Sequence, residues 1–304
     1  MKFSLKIFFV FLFLFAENIL AQSILTVSKT PLLKFCSFSF ASGGTVVGSK
    51  QSDSSEFQTL VKKDAVALHP DLSFYTREKR PPFSNGREIS LAVNFKVRAA
   101  NGIGYRERMQ LSFAIKFSRQ SFLSTSYRYS RGVRFDTLSG SSGVLYLDSI
   151  FDYTKEFSYS LKQVGVEAAA LFNTNPEKNI GLYGGLSFTQ YFSTSSFVAL
   201  TETEETKVEQ MNSSGQSSIY GGKGNKPSKQ DPTITKFDAL SALTTRLGIP
   251  IGFTVRLAKT KPVLKNIQFF FESKPGVAIT FVSGYKSFVR PWFTAGGGIK
   301  ILFY

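Results

Sequence analysis

The sequence has one cysteine, Cys36, and one histidine, His69, among its 304 residues. A single cysteine excludes an internal disulfide framework and a zinc site built from several thiolates. A single histidine leaves almost no general base for a hydrolase or an acyltransferase, because histidine most often has that role. No His, Cys, Asp and Glu residues have the spacing of a metal site. We therefore expect no enzymatic activity, no metal and no cofactor.

Long apolar runs are also lacking after the first 21 residues, so the sequence predicts no membrane-spanning helix there. The first 21 residues themselves contain Lys2 and Lys6, an apolar run from Ile7 to Ala16, and a small residue, Ala21. This is the pattern of a secretory signal peptide, and the run is too short to span a bilayer. We predict cleavage between Ala21 and Gln22, with an uncleaved anchor as the alternative.

Acidic residues are scarce, because 37 Lys and Arg face only 21 Asp and Glu, a formal net charge of +16. An exported protein with this charge meets anionic lipid head groups and surface polysaccharide first. No nucleic-acid-binding module is recognisable, so we expect no nucleic-acid partner. The 32 phenylalanines and a charged fraction of only 19% favour β-structure with an apolar outer face.

Alternation of apolar and polar residues is the main pattern that is present. In Glu88–Arg98, the residues Ile89, Leu91, Val93, Phe95 and Val97 share one face, and Met109 to Phe117 repeats the pattern. Repeated segments of this kind, each of about ten residues, are typical of transmembrane strands. The predicted fold is all-β, a transmembrane antiparallel up-and-down barrel. Its eight strands are expected over 88–98, 108–118, 122–130, 157–172, 180–193, 240–257, 266–281 and 292–304.

The predicted domains are the signal peptide 1–21, an N-terminal segment 22–87 and a barrel 88–304. Segment 32–42 alternates like a further strand, and pairing it with part of 56–76 would give the alternative of ten strands. Long mobile loops are expected on the outer side at 131–155 and 194–238, together with 99–107 and 283–291. Connections on the inner side are expected at 118–121, 173–179 and 258–265. Pro250 cannot donate to a strand ladder and predicts a bulge or break.

The polar face of the predicted strands is basic, with Glu88 and Glu272 among its few acids. An eight-stranded barrel is narrow enough for side chains to fill it, so we expect these charges to form an internal plug rather than a conduction path. A small anion-preferring pore is the alternative. The predicted lumen-facing basic residues are Lys96, Lys116, Arg128, Lys162, Arg246, Arg256 and Lys300.

Two short segments, Arg246–Phe253 and Gly297–Tyr304, are similar to segments of outer-membrane β-barrel proteins of Bacteroidetes-like bacteria, loosely the PorT-like group. The resemblance implies a location in the bacterial outer membrane and insertion by the outer-membrane assembly machinery. It also implies that the terminal aromatic residues, Phe303 and Tyr304, form the signal that this machinery reads. The family supplies no catalytic residues.

The functional hypothesis is an outer-membrane barrel with a structural or surface-binding role. Its expected partners are outer-membrane lipids and lipopolysaccharide, the assembly machinery, and surface polysaccharide or another envelope protein. A porin-like pore is the first alternative. The second alternative is a soluble secreted β-sandwich, which would bury its apolar face against a second sheet.

Overall fold

The computed structural model describes residues 32–48, 50–62, 71–78, 83–101, 103–140, 143–174, 179–212, 217–219, 228–258, 264–285 and 287–303. The predicted signal peptide, His69 and Tyr304 lie outside these residues. The strands are β1 Leu33–Gly48, β2 Lys50–Gln51, β3 Thr76–Arg77, β4 Phe83–Arg98, β5 Tyr105–Gly140, β6 Gly143–Asn173, β7 Ile180–Asn212, β8 Ser217–Ile219, β9 Ser228–Lys229, β10 Thr233–Asp238, β11 Ala242–Gly248, β12 Ile251–Arg256, β13 Ile267–Val282 and β14 Phe288–Leu302. One helix, α1, spans Ser54–Leu60, and a 3-10 turn spans Leu264–Asn266.

The long strands form one closed antiparallel sheet. Pairing runs from β1 to β4, β5, β6, β7, β11 with β12, β13 and β14. Strand β14 then returns to β1, with a register from Ser37 opposite Leu302 to Val47 opposite Trp292. Because β11 and β12 occupy one position in the wall, the barrel has eight strands. The predicted up-and-down barrel is confirmed, and the alternative of a two-sheet sandwich is wrong.

The predicted strand boundaries need two corrections. Residues 108–118 and 122–130, predicted as two strands joined at 118–121, belong to the single strand β5. A bulge at Phe122, between Ser121 and Leu123, shifts the pairing with β6 there. Because the alternation of apolar and polar residues is interrupted at the bulge, the sequence pattern resembles two strands joined by a turn. The segment 32–42 lies in β1, which pairs with β4 and β14 rather than with 56–76.

The additional first strand also changes the end of the barrel on which the connections lie. We call one end of the barrel the lower end. It is the end at which β4, β6 and β12 finish, at Arg98, Asn173 and Arg256. The predicted outer connection 99–107 is therefore on the same end as 173–179 and 258–265. This correction follows because β1 reverses the direction assumed for β4.

Three strands extend far beyond the barrel at its upper end. Strands β5, β6 and β7 have 36, 31 and 33 residues, whereas about ten suffice to cross a membrane. Their upper parts form a sheet. Strands β2 and β3 pair with β5 in this sheet, and β8, β9 and β10 pair with β7. We call residues 123–140, 143–161 and 195–212 the upper sheet. The predicted loop 131–155 is thus a hairpin of β5 and β6, and much of 194–238 is strand.

The predicted break at Pro250 separates β11 from β12. Two backbone hydrogen bonds span the interruption. The Gly185 N–H donates to the Pro250 carbonyl over 2.9 Å, and the Ile249 N–H donates to the Pro275 carbonyl over 2.9 Å. The neighbouring strands therefore stay in register although proline cannot donate there.

The outer face of the barrel wall is apolar. Large exposed hydrophobic side chains occur on all eight of its strands, among them Phe38, Phe40, Ile89, Leu91, Phe113, Ile115, Phe117, Phe172, Leu182, Leu186, Phe188, Leu247, Ile251, Phe253, Phe269, Phe271, Phe293, Ile299 and Ile301. A contiguous apolar surface of this extent is unusual for a soluble protein and typical of the lipid-facing band of a transmembrane barrel. Among the described residues, no helix is long and apolar enough to span a membrane.

Closure of the barrel predicts a specific cross-link. Thr45 of β1 lies opposite Thr294 of β14, with 3.2 Å between their hydroxyl oxygens. In a Cys36→Ser background, the pair Thr45→Cys and Thr294→Cys is expected to form a disulfide on mild oxidation. The denatured protein should then migrate faster on a non-reducing gel than the reduced protein.

The control for this cross-link is the pair Thr45→Cys and Thr280→Cys, because Thr280 lies on β13, which is not a neighbour of β1. It is expected to form no disulfide. An equal shift in both pairs, or none in the first, would contradict closure between β1 and β14.

Candidate functional site

The centre of the barrel contains a buried carboxylate, Glu88 of β4, with three partners. Lys116 Nζ donates to Glu88 Oε1 over 2.7 Å, and Arg246 Nη1 donates to Oε2 over 2.9 Å. The Tyr191 hydroxyl also donates to Oε2, over 2.6 Å. Arg246 is 1% exposed and also donates to Gln120 Oε1 over 2.7 Å. These contacts join β4, β5, β7 and β11 across the interior.

A second buried carboxylate, Glu167 of β6, continues the cluster. It lies 2.9 Å from Lys116 Nζ and 2.9 Å from Lys274 Nζ, and accepts a hydrogen bond from Thr189 over 2.8 Å. Lys274 also contacts Glu272 over 3.2 Å. The six residues Glu88, Lys116, Glu167, Arg246, Glu272 and Lys274 are called the ion network. It contains three acids and three bases, so its formal charge is zero.

The upper mouth of the barrel is closed by apolar packing. Helix α1 inserts Phe57 and Leu60, both fully buried, against Phe157 and other side chains on the inner face of β5, β6 and β7. The helix is attached through the Leu240 N–H, which donates to the Leu60 carbonyl over 2.8 Å. The Ser54 N–H donates to the Tyr127 hydroxyl oxygen over 3.1 Å. An apolar cap therefore lies above the ion network.

A cavity of about 40 Å³ lies in the middle of the barrel beside Glu88, Lys116 and Glu272, and its other walls are formed by residues of β1, β4, β13 and β14, namely Ala41, Ser42, Gly43, Ser90, Phe270 and Gly296. That is the room of about one water molecule. The arrangement can hold an ordered water beside the ion network. Among the described residues, no cluster of three His, Cys, Asp or Glu could hold a metal ion.

Five of the seven predicted lumen-facing basic residues lie on the inner face of the wall. Lys116, Arg246 and Lys300 are buried, and Lys96 and Arg256 are half-buried towards the lower end. Lys116 and Arg246 belong to the ion network. The other three lie nearer the lower mouth and outside the network.

The prediction was wrong for Arg128 and Lys162. The bulge at Phe122 moves the inner face of β5 from even to odd positions, so Arg128 points away from the lumen and its side chain is 45% exposed. On β6 the odd positions face inward throughout, so Leu161 and Gln163 are buried and Lys162 between them is exposed. The pairing of β6 with β7 shifts register between Lys162 and Gln163, where Thr194 of β7 is the extra residue.

Sequence reasoning missed Glu167 and Lys274. Glu167 precedes three alanines, and the apolar neighbours hid its place on the polar face of β6. Strict alternation from Val164, Val166 and Ala168 would have placed it inward. Lys274 precedes Pro275, which weakened the strand pattern there.

A second candidate site is a groove on the upper sheet, beside β3. It encloses about 520 Å³ and is lined by Phe74, Thr76, Arg77, Glu78, Arg128, Tyr129 and Ser130. Phe74 is 73% exposed, and its ring centroid lies 6.2 Å from that of Tyr129. Tyr129 also contacts Tyr75 and stacks on Tyr153. The groove thus combines an aromatic wall with planar charged groups.

Each guanidinium in this groove has a carboxylate partner. Arg77 contacts Asp53 over 2.6 Å, and Arg128 contacts Asp152 over 2.7 Å. Burial alone would raise the pKa of Asp152, but hydrogen bonds from Ser130 and Arg128 and the nearby charges outweigh it and hold this pKa below its usual value. The groove therefore has no uncompensated arginine for an anionic ligand.

No family model and no curated protein sequence matches this chain. One similar solved structure is that of Ail, the attachment invasion locus protein of Yersinia pestis, in complex with the heparin analogue sucrose octasulfate. The two sequences are 12% identical, the match covers 88% of this chain and 99% of that chain, and the TM-score is 0.20. Another is that of the translocator domain of the autotransporter NalP from Neisseria meningitidis, at 8% identity, covering 98% of each chain, with a TM-score of 0.17. At such TM-scores the fold rests on the strand pairing alone, which defines a closed antiparallel β-barrel.

The ion network predicts a large cost for removing one acid. Glu167→Leu leaves Lys116 with one acidic partner fewer and Lys274 with Glu272 alone. Unpairing a buried charge costs about 3–5 kcal/mol, so the denaturant midpoint of the refolded barrel should fall markedly. Guanidinium unfolding in detergent, followed by tryptophan fluorescence, measures this change.

Glu202→Leu is the matched control, because its carboxylate pairs with Lys155 over 3.1 Å on the upper sheet and is 43% exposed. An exposed pair contributes about 1 kcal/mol or less. Equal midpoints for the two variants would show that the buried pairs contribute no more than a surface pair.

Proposed function

We propose that the chain is a bacterial outer-membrane barrel that conducts no solute and presents the upper sheet to the exterior as a binding surface. The observation that carries the proposal is the neutral ion network, which fills the lumen of a barrel whose outer wall is apolar. A wall of this kind is stable in lipid, and a filled lumen gives no path for ions. The similarity of Arg246–Phe253 and Gly297–Tyr304 to Bacteroidetes-type barrels is part of the same proposal.

The terminal residues fit a role in insertion. Phe303 is 51% exposed, its N–H donates to the Cys36 carbonyl over 2.8 Å, and its ring lies 5.1 Å from that of Phe35. An outward aromatic side chain at the end of the last strand is accessible to the assembly machinery. Cleavage of residues 1–21 as a signal peptide is the export route that we propose.

The groove on the upper sheet is the proposed contact site for surface polysaccharide. Exposed aromatic rings such as Phe74 offer an apolar face for a sugar ring, and the remaining N–H groups of Arg77 and Arg128 can donate to hydroxyl groups. Because both arginines are already paired with carboxylates, a neutral saccharide fits better than an anionic one. The volume of about 520 Å³ suits a few sugar units.

The alternative of an anion-preferring pore is tested by planar-bilayer recording. The refolded protein is expected to give no conductance steps, because the ion network and the apolar cap fill the lumen. Refolding is checked first by comparing heated and unheated samples on a gel. Stepwise, anion-selective conductance of the intact barrel would establish the pore instead.

Orientation in the outer membrane is tested by cysteine labelling in intact cells, in a Cys36→Ser background. Val133→Cys lies on the upper sheet, and Asn101→Cys lies in the turn after β4 at the lower end; both native side chains are exposed. A membrane-impermeant maleimide is expected to label the first in intact cells and the second only after lysis. The reverse labelling would show that the upper sheet faces the periplasm. Recovery of the protein in the soluble fraction would contradict a location in the membrane.

The groove predicts a specific loss of sugar binding. With neutral oligosaccharides such as maltohexaose, cellohexaose and mannohexaose as probes, Phe74→Ala should weaken binding about tenfold or more, because an exposed aromatic anchor is lost. Tyr146→Ala is the matched control, since that ring packs on Arg134, 4.0 Å away, elsewhere on the same hairpin. No binding of any probe, or equal loss in both variants, would exclude this groove as the sugar site.

A further inference from the structure

Three cations form a row across the outside of the wall, above the apolar band. Arg87 of β4 lies directly opposite Arg119 of β5, and Arg119 lies directly opposite Lys162 of β6. All three side chains are exposed. Residues directly opposite one another in an antiparallel sheet have Cβ atoms about 4.5–5.5 Å apart. We call Arg87, Arg119 and Lys162 the basic row.

This arrangement is unfavourable without an anion. Like charges directly opposite each other destabilise a sheet. In the ion network every cation contacts a carboxylate, but in the described part of the chain no carboxylate contacts any residue of the basic row. The charges therefore repel one another unless something outside the chain compensates them.

The position of the basic row relative to the apolar band indicates which chemical group compensates its charges. Two residues nearer the lower end, the outward positions are Ile89, Phe117 and Val164, again directly opposite one another. Two residues along a strand span about 7 Å. The outer face thus changes from apolar to basic over about 7 Å, a distance similar to the thickness of the head-group region of one leaflet.

We propose that the basic row binds the phosphate groups of a lipid in the outer leaflet. Arginine forks bind phosphate oxygens through two parallel hydrogen bonds, and the lysine adds a compact positive charge. The exposed hydroxyl of Ser195, directly opposite Lys162, supplies a further donor. The acyl chains of the same lipid lie against Phe117 and its apolar neighbours, which a free phosphate ion could not use. The orientation used here rests on the proposed function.

The test measures binding of fluorescent bis-phosphorylated lipid A to the refolded full chain in a non-ionic detergent. The triple variant Arg87→Gln, Arg119→Gln and Lys162→Gln is expected to weaken binding about tenfold or more, since several charge-assisted hydrogen bonds are lost. Dephosphorylated lipid A is expected to bind the unmodified protein equally weakly.

The matched control removes three exposed cations elsewhere, through Arg108→Gln, Arg131→Gln and Lys229→Gln, and should retain binding. The single change Arg119→Glu places an acid in the centre of the basic row and should weaken binding as strongly as the triple change. Equal affinities for the triple variant and its control, or for the two lipids, would overturn the proposal. Displacement of the lipid by inorganic phosphate at the same concentration would show that the basic row binds free phosphate rather than a lipid.

Heat-dependent gel migration separates this outcome from failure of the proposed function. A chain that never forms a heat-modifiable barrel contradicts membrane insertion itself. A folded barrel that binds both lipids alike contradicts only the basic row.

Discussion

Pairing of the buried charges inside the barrel constrains every other feature of this protein. The ion network draws side chains from five of the eight wall strands, and Tyr191 adds a sixth. A shift of two residues in any one register would move a charge by about 7 Å and leave it buried without its partner. The network therefore fixes the strand registers as well as filling the lumen.

Alternation in the sequence predicts the barrel because it records which face each side chain occupies. It succeeded for Glu88–Arg98 and Met109 to Phe117, where the pairing of the two strands shifts register only near their lower ends, between Lys96 and Val97. It reached eight strands through two compensating errors, since β1 was left outside the barrel and β5 was divided in two. The strand count was therefore right although the assignment of strands was not.

The division of β5 and the wrong face for Arg128 have one physical origin, the β-bulge at Phe122. One extra residue reverses the faces of all residues that follow it, and no turn residue marks the place. Phe122 has this effect in β5, so Arg128 was assigned to the wrong face. Partners such as Arg246 and Glu88, separated by 158 positions in the chain, depend on the registers of several strands and cannot be read from alternation in any one of them.

The corrected position of Lys162 links the interior to the exterior of the molecule. On the inner face, where water is excluded, every charge of the ion network has an opposite partner within the chain, because an unpaired charge there would cost several kcal/mol. On the outer face above the apolar band, Lys162, Arg119 and Arg87 are exposed and contact no carboxylate among the described residues, and in our proposal lipid phosphates compensate them. In this proposal the same strands satisfy their charges within the chain on one face and through lipid phosphates on the other. In the proposed function, a ligand therefore binds the upper sheet or the basic row while the lumen stays closed.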